Sequence, residues 1–211
     1  MCLAPGYTDT GHMRLTDVVV PDSQAARTAL EVVTHYSPPA LVNHCQRSYV
    51  FAAALASTEG IEIDHELLYV ATMLHDLALE PAFDNVSMPF EEAGGHLAWI
   101  FTAGLGWEVE RRDHAALIVV DHMQDDTDVS VDPEGLLLAR ATSLDISGSD
   151  PGAWSTELIA GTVLAFPRLD LAERFTACFA DQAERKPDSQ AARAIRSGIA
   201  DRMQSNPLNS L

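Results

Sequence analysis

The residues with the clearest chemical potential are an adjacent histidine and aspartate, His75 and Asp76, at the end of an apolar run that begins at Tyr69. The hydrophobic residues ahead of the pair place it inside the fold, where an imidazole and a carboxylate need a partner. A divalent cation is the simplest partner, because both groups suit zinc, iron and manganese. His44 and Asp145 are also polar among apolar neighbours. For each residue alone, an ordinary hydrogen-bonded core position is the alternative.

The segments that carry these residues have helical spacing of apolar positions almost throughout. Ser23 and Asp64 are typical helix N-caps, Pro39 a typical first helical residue, and Gly60 and Gly148 typical helix ends. We find no strand alternation and no internal repeat. The pattern predicts an all-α, single-domain helical bundle: an irregular lead-in over residues 1–21, then one helical domain over 22–205. Its motifs lie within 43–145 and its last helices within 155–204, including one continuous helix over 189–203.

The order of the candidate ligands resembles a known signature. His44, His75-Asp76 and Asp145, each on its own predicted helix, are similar to the H…HD…D pattern of the HD-domain superfamily. The resemblance spans about residues 35–150. It implies an HD-type helical fold and a metal ion held by these four residues, which activates water or polarises a substrate. A helical bundle can bring such side chains together at its centre.

Two further runs resemble a subgroup, the cyanamide hydratase-like HD proteins. Residues 43–51 match its asparagine-histidine-x-x-arginine-x-tyrosine-x-phenylalanine run, and residues 90–98 resemble its phenylalanine-glutamate segment followed by paired glycines. The resemblance implies roles for four residues: substrate contact for Asn43 and Glu91, a place in the pocket wall for His122, and support behind the metal ligands for Arg47.

One position departs from that subgroup. His96 stands where an apolar residue is usual, and together with His122 it gives the order H…HD…H…H…D. That order is similar to HD proteins with two metals, which implies that His96 and His122 bind a second ion. The alternatives are a pocket-rim position for His96 and, for His122, a helix C-terminus, where the helix dipole favours histidine.

The resemblance implies an enzyme, a hydrolase or hydro-lyase, in which a metal-activated water attacks a small nitrile- or cyanamide-like molecule. Zinc is the expected ion, with iron or manganese, one ion or two, as alternatives. Glu91 would move the proton, Asn43 would orient the substrate, and Asp76 would act in the reaction as well as hold the ion. Three other functions stay open: a phosphohydrolase acting on a nucleotide, a dinuclear lyase or oxygenase acting on a small metabolite, and a non-enzymatic HD scaffold.

The composition limits the partners. The formal net charge is −18 with a single lysine, which argues against binding to nucleic acid or to an anionic membrane and favours a small-molecule substrate. The three cysteines form no C-x-x-C pair and no signal peptide is recognised, so we expect a cytoplasmic protein. The acidic residues around Asp125, Asp126 and Asp128 are expected to form a solvated turn. A homo-oligomer is compatible with this sequence, in which the helices after residue 150 fill the core, line the pocket or form a dimer face.

Overall fold

The computed structural model describes residues 13–123 and 128–211, and within these ranges the regular elements are ten α-helices and four short 3-10 turns, without a strand. The all-α bundle expected from the sequence is confirmed. Residues 1–12 of the expected lead-in, and Asp125 and Asp126 of the expected acidic turn, lie outside the described residues. The helices are α1 (Gln24–Tyr36), α2 (Pro39–Glu59), α3 (His65–Leu74), α4 (Phe90–Gly104), α5 (Val109–Asp121), α6 (Pro133–Ser147), α7 (Thr156–Ala165), α8 (Leu171–Arg185), α9 (Gln190–Arg196) and α10 (Ile199–Gln204).

Helix α2 lies at the centre of the bundle. It begins at Pro39, where a missing backbone N–H costs nothing, and it ends at Gly60, whose φ of 70° is in the left-handed region that favours glycine. Most of its side chains are buried, and many of them are alanines. Small side chains let α3 and α6 pack closely against it. A polar group on α2, such as His44, is therefore enclosed by its neighbours.

Helices α4 and α5 form another closely packed pair, and two glycines allow the approach. A Cβ atom at Gly95 would lie 2.7 Å from Cγ2 of Val120 and 3.2 Å from the Ala116 carbonyl oxygen. At Gly94 it would lie 3.0 Å from Cγ1 of Val119 and 3.2 Å from the His75 carbonyl oxygen. The Gly94-Gly95 pair thus presses α4 against both α5 and the end of α3.

The C-terminal segment differs from the sequence prediction. The single helix predicted over 189–203 is two helices, α9 and α10, because Gly198 has a φ of 80° that interrupts the helical backbone. Both helices pack against α8, and α10 also reaches α6. The break turns this segment over one end of the bundle. No helix in the described ranges has the length and apolar character needed to cross a bilayer.

Candidate metal centre

Three buried side chains converge where α2 meets the end of α3. His75 is the C-cap of α3, Asp76 follows it, and His44 projects from the middle of α2. The Nε2 atoms of His44 and His75 are 3.2 Å apart. Oδ2 of Asp76 lies 3.3 Å from the first of these nitrogens and 3.0 Å from the second. Burial is nearly complete for all three residues.

The outer hydrogen bonds decide which ring nitrogens carry protons. Nδ1 of His75 is 2.7 Å from the Thr72 carbonyl oxygen, which can only accept, so Nδ1 must donate. Nδ1 of His44 faces the Asp145 carboxylate at 2.6 Å and donates in the same way. In the neutral imidazoles, both Nε2 atoms then carry lone pairs. Two lone pairs and a carboxylate oxygen point at one another without a donor between them.

A cation resolves this conflict. The three converging atoms are the nitrogen and oxygen ligands that zinc and similar ions take, and the backs of both rings are held by hydrogen bonds, as is usual for metal-bound histidines. Burial opposes ionisation of Asp76, but the charge of His75 and the hydrogen bond from His44, which these rings supply when protonated, hold the pKa of its carboxyl well below the usual range. Burial also lowers the pKa of His44, while its bonds to Asp145 and Asp76 outweigh burial and raise it. A proton and a metal ion therefore compete for Nε2 of His44.

Asp145 does not join the three converging side chains. Its carboxylate lies behind His44 and accepts two hydrogen bonds from Arg47, each 2.8 Å long, and one of 2.7 Å from Arg168. Burial opposes ionisation, but the charge of Arg47 and the bond to His44 hold the pKa of Asp145 well below its usual range. Asp145 orients the ring of His44 and balances the positive charge of two buried arginines, Arg47 and Arg168. A direct bond from Asp145 to the ion stays a prediction, and this position favours the orienting role.

His122, the C-cap of α5, completes the cluster. Its Nδ1 donates to the Val119 carbonyl oxygen at 2.5 Å, and its Nε2 lies 3.7 Å from Oδ1 of Asp76. Burial, together with the neighbouring His75, lowers the pKa of His122 to about 4. The ring is therefore neutral near pH 7 and presents a lone pair towards Asp76. The structure brings this predicted residue to the site.

A cavity of about 600 Å³ opens onto these residues. Its floor contains His44, His75, Asp76 and His122. Its walls combine hydroxyl-bearing residues of α6 with the aromatic rings of α8 and polar residues of α9 and α10: Thr142, Ser143, Ser147, Phe175, Phe179, Gln190, Arg193, Ser197 and Arg202. The size is typical of a pocket for a small molecule.

Three other predicted residues are not brought into this pocket. The Asn43 side chain donates to the Pro167 carbonyl oxygen at 2.8 Å and does not line the cavity. Glu91 is buried beside α9 rather than in the lining. Burial raises its pKa, and its Oε2 has no hydrogen-bond partner among the residues that the structure describes. His96 is exposed on α4, whereas the converging side chains are buried, so its position does not support a second ion held by His96 and His122.

The sequence prediction overlooked the side chains that come from the C-terminal part of the chain, after residue 165. Arg168 donates to both the carboxylate and the carbonyl oxygen of Asp145, and Asn206 donates to the same carbonyl oxygen at 2.9 Å. Arg193 and Arg202 line the cavity. These residues lie beyond the segment that carries the resemblance, and an arginine or asparagine in a helix or loop has no spacing signal that distinguishes it from a solvated residue.

Comparison with known proteins agrees with this architecture. No protein-family model matches the chain. Two curated proteins of Saccharomyces cerevisiae, the cyanamide hydratases DDI2 and DDI3, are each 28% identical to it over 173 residues, covering 79% of this chain and 76% of the yeast protein. The likeness to cyanamide hydratase-like proteins expected from residues 43–51 and 90–98 is confirmed. The chain is homologous to these yeast cyanamide hydratases.

Proposed function

We propose that this protein is a metal-dependent enzyme that adds water to a small molecule with a carbon–nitrogen multiple bond, of the nitrile or cyanamide type. One observation carries the proposal: the Nε2 lone pairs of His44 and His75 and the carboxylate of Asp76 face one another where they line a cavity of about 600 Å³. The homology to cyanamide hydratases supports the substrate class.

In this proposal His44, His75 and Asp76 hold the ion. Zinc is expected from the donor set, with iron or manganese as alternatives. Such an ion, when bound, acts as a Lewis acid that makes water nucleophilic near neutral pH. Asp145 fixes the direction of the His44 ring, and Arg47 and Arg168 fix Asp145. This outer layer keeps the Nε2 lone pair aimed at the ion.

Addition of water forms one carbon–oxygen bond, opens one carbon–nitrogen π bond and moves one proton from water to nitrogen, which gives an imidic acid or, from cyanamide, isourea. Transfer of the second proton from oxygen to nitrogen, as the carbonyl forms, then gives the amide or urea. His122 is the residue we assign to proton transfer, because it lines the pocket as a neutral imidazole with a free lone pair at Nε2. Glu91, the proton carrier expected from the family likeness, has the raised pKa of such a group but does not line the cavity.

The test is a product screen with matched variants. Purified protein loaded with zinc, iron or manganese is incubated with cyanamide or small nitriles, and urea or the corresponding amide is measured as the product. A parallel assay supplies nucleotides and measures the release of phosphate. We expect hydration, and we expect His75→Ala to abolish it together with metal binding. His35→Ala, on the exposed end of α1, is the control and should retain both. Phosphate release without hydration would overturn the proposal.

A further inference from the structure

The pocket is larger than its simplest substrate requires. Cyanamide contains only one carbon and two nitrogens besides hydrogen, whereas the cavity holds about 600 Å³. Cavities of that size usually enclose molecules with many more atoms. The lining residues other than His44, His75, Asp76 and His122 therefore indicate which chemical groups the rest of the substrate carries.

Two exposed arginines, Arg193 and Arg202, line the pocket, and the charge of Arg193 also acts on the buried carboxyl group of Glu91. Arg193 donates to the side-chain oxygen of Gln190 and to the Asp188 carbonyl oxygen, and Arg202 donates to the carbonyl and hydroxyl oxygens of Ser197. These acceptors are neutral, and neither guanidinium forms an ion pair with a carboxylate of the described residues. Most other cationic side chains do, including the single lysine, Lys186.

The charge distribution of the whole chain makes this placement unusual. The formal net charge is −18, and acidic residues outnumber basic ones 31 to 13. Within the part of the cavity that the structure describes, Asp76 is the only carboxylate that lines it. Arg112, which lies over the ring of Trp99, and Arg196 also lack a carboxylate partner there, but neither lines the cavity. Two arginines in the lining make the cavity locally more favourable to an anion than the negative net charge of the chain would suggest.

We infer that Arg193 and Arg202 select a substrate that carries an oxyanion, a carboxylate or a phosphate, at the end opposite its reactive carbon–nitrogen bond. The inference rests on the proposed function for the identity of the reacting group. Guanidinium groups bind both oxyanions through paired hydrogen bonds. In this inference Arg193 and Arg202 bind the anion, and the reactive carbon binds near His44, His75 and Asp76 in the same cavity.

The experiment compares isosteric probes. Metal-loaded protein is assayed with 3-cyanopropanoate and with its neutral amide, 3-cyanopropanamide. We expect kcat/KM to be about tenfold or more higher for the anion, because each charge-assisted contact contributes on the order of 1.4 kcal/mol or more. Arg193→Gln with Arg202→Gln should remove that preference and change the neutral substrate much less. Arg196→Gln, which alters an arginine outside the cavity, should leave both rates unchanged.

A binding measurement separates this inference from the proposed function. Calorimetry with succinate and with inorganic phosphate needs no turnover and distinguishes a carboxylate from a phosphate site. Binding of either anion that is lost in the double variant, but kept in Arg196→Gln, supports the inference even when no nitrile is hydrated. Hydration of cyanamide with equal rates for the two isosteres, and no anion binding that depends on these arginines, would overturn the inference and leave the function standing.

Discussion

At the scale of single residues, the hydrogen bonds behind the histidine rings decide which ring nitrogen faces the site. Nδ1 of His44, His75 and His122 each donate to a fixed acceptor, so each ring turns its Nε2 towards Asp76. The acceptor behind His44 is special because it is a carboxylate. Asp145 therefore links the geometry of the ring to the charges of Arg47 and Arg168.

Replacing Asp145 with asparagine tests that link. Asp145→Asn keeps the shape but leaves two buried guanidinium groups without their counter-charge, so we expect a loss of about 3–5 kcal/mol in the free energy of unfolding. Metal affinity should fall about 10–100-fold, because the support behind His44 is weakened. Urea unfolding and metal titration measure the two effects. Asp170→Asn, which affects an exposed pair with Arg174, is the control and should cost less than about 1 kcal/mol.

The sequence predicted part of this site for a physical reason. His75 and Asp76 end an apolar helix and His44 lies on the buried helix α2, so burial of polar groups was visible in the residue pattern. The direction in which each side chain points was not visible in that pattern. Asn43 precedes His44 yet turns to the Pro167 carbonyl oxygen, and His96 lies on the exposed side of α4.

At the scale of elements, the close contact of α4 with α5 holds the end of α3 in position. Gly95→Ala introduces a methyl group where Val120 and the Ala116 carbonyl oxygen leave too little room, so we expect a loss of about 1–3 kcal/mol despite the better helix propensity of alanine. Gly161→Ala, in α7 and facing open space, should instead stabilise by about 0.5–1 kcal/mol. Thermal unfolding of both variants measures the difference; equal shifts would show that the α4–α5 contact is loose.

A second element-level contact joins α5 to the start of α6. His114 donates to Asp132, the N-cap of α6, at 2.9 Å, and Glu134 lies nearby. The bond to Asp132 raises the pKa of His114 above its unfolded value of about 6.5. Its stabilising contribution is therefore complete below about pH 6.5 and is lost as pH rises through the higher folded pKa.

His114→Gln should remove this pH dependence. Urea unfolding in the presence of EDTA, at about pH 6 and about pH 9, gives the difference in stability between the parent protein and the variant. We expect the parent to be the more stable at the lower pH and its advantage to shrink at the higher pH. An advantage that grew with pH would show that His114 is not charged in its contact with Asp132.

Helix boundaries were the most predictable feature at this scale. Ser23 and Asp64 cap their helices through their side chains, and Gly60 and Gly148 end theirs with a positive φ, as their residue types indicated. The break at Gly198 was missed because a glycine within a helical pattern is compatible with a continuing helix. Only the packing of α9 and α10 against α8 decides whether the helix continues through Gly198 or breaks there.

At the scale of the whole molecule, the excess of acidic residues lowers the free energy of unfolding. Mutual repulsion at a net charge of −18 disfavours the compact state, and salt screens it. We expect the melting temperature near pH 7 to rise when sodium chloride is added up to about 0.15 M. The same salt should have less effect near the sequence pI of about 4.5. A melting temperature that falls with salt near pH 7 would indicate that attractive ion pairs outweigh the repulsion.

The pocket is formed by helices from most of the length of the chain. Its floor comes from α2 and the ends of α3 and α5, and its walls from α6 and the last three helices. The motifs of residues 43–145 predicted the floor, but the walls depend on how α8, α9 and α10 fold back over it, which a pattern within one segment does not specify.

His44, His75 and Asp76 are proposed to hold one divalent ion together. Elemental analysis of the purified protein, after dialysis against metal-free buffer, tests this claim directly. We expect about one equivalent of bound metal in the parent protein and in His96→Ala, and essentially none in His75→Ala. A folded His75→Ala variant that keeps its full equivalent of metal would contradict the claim.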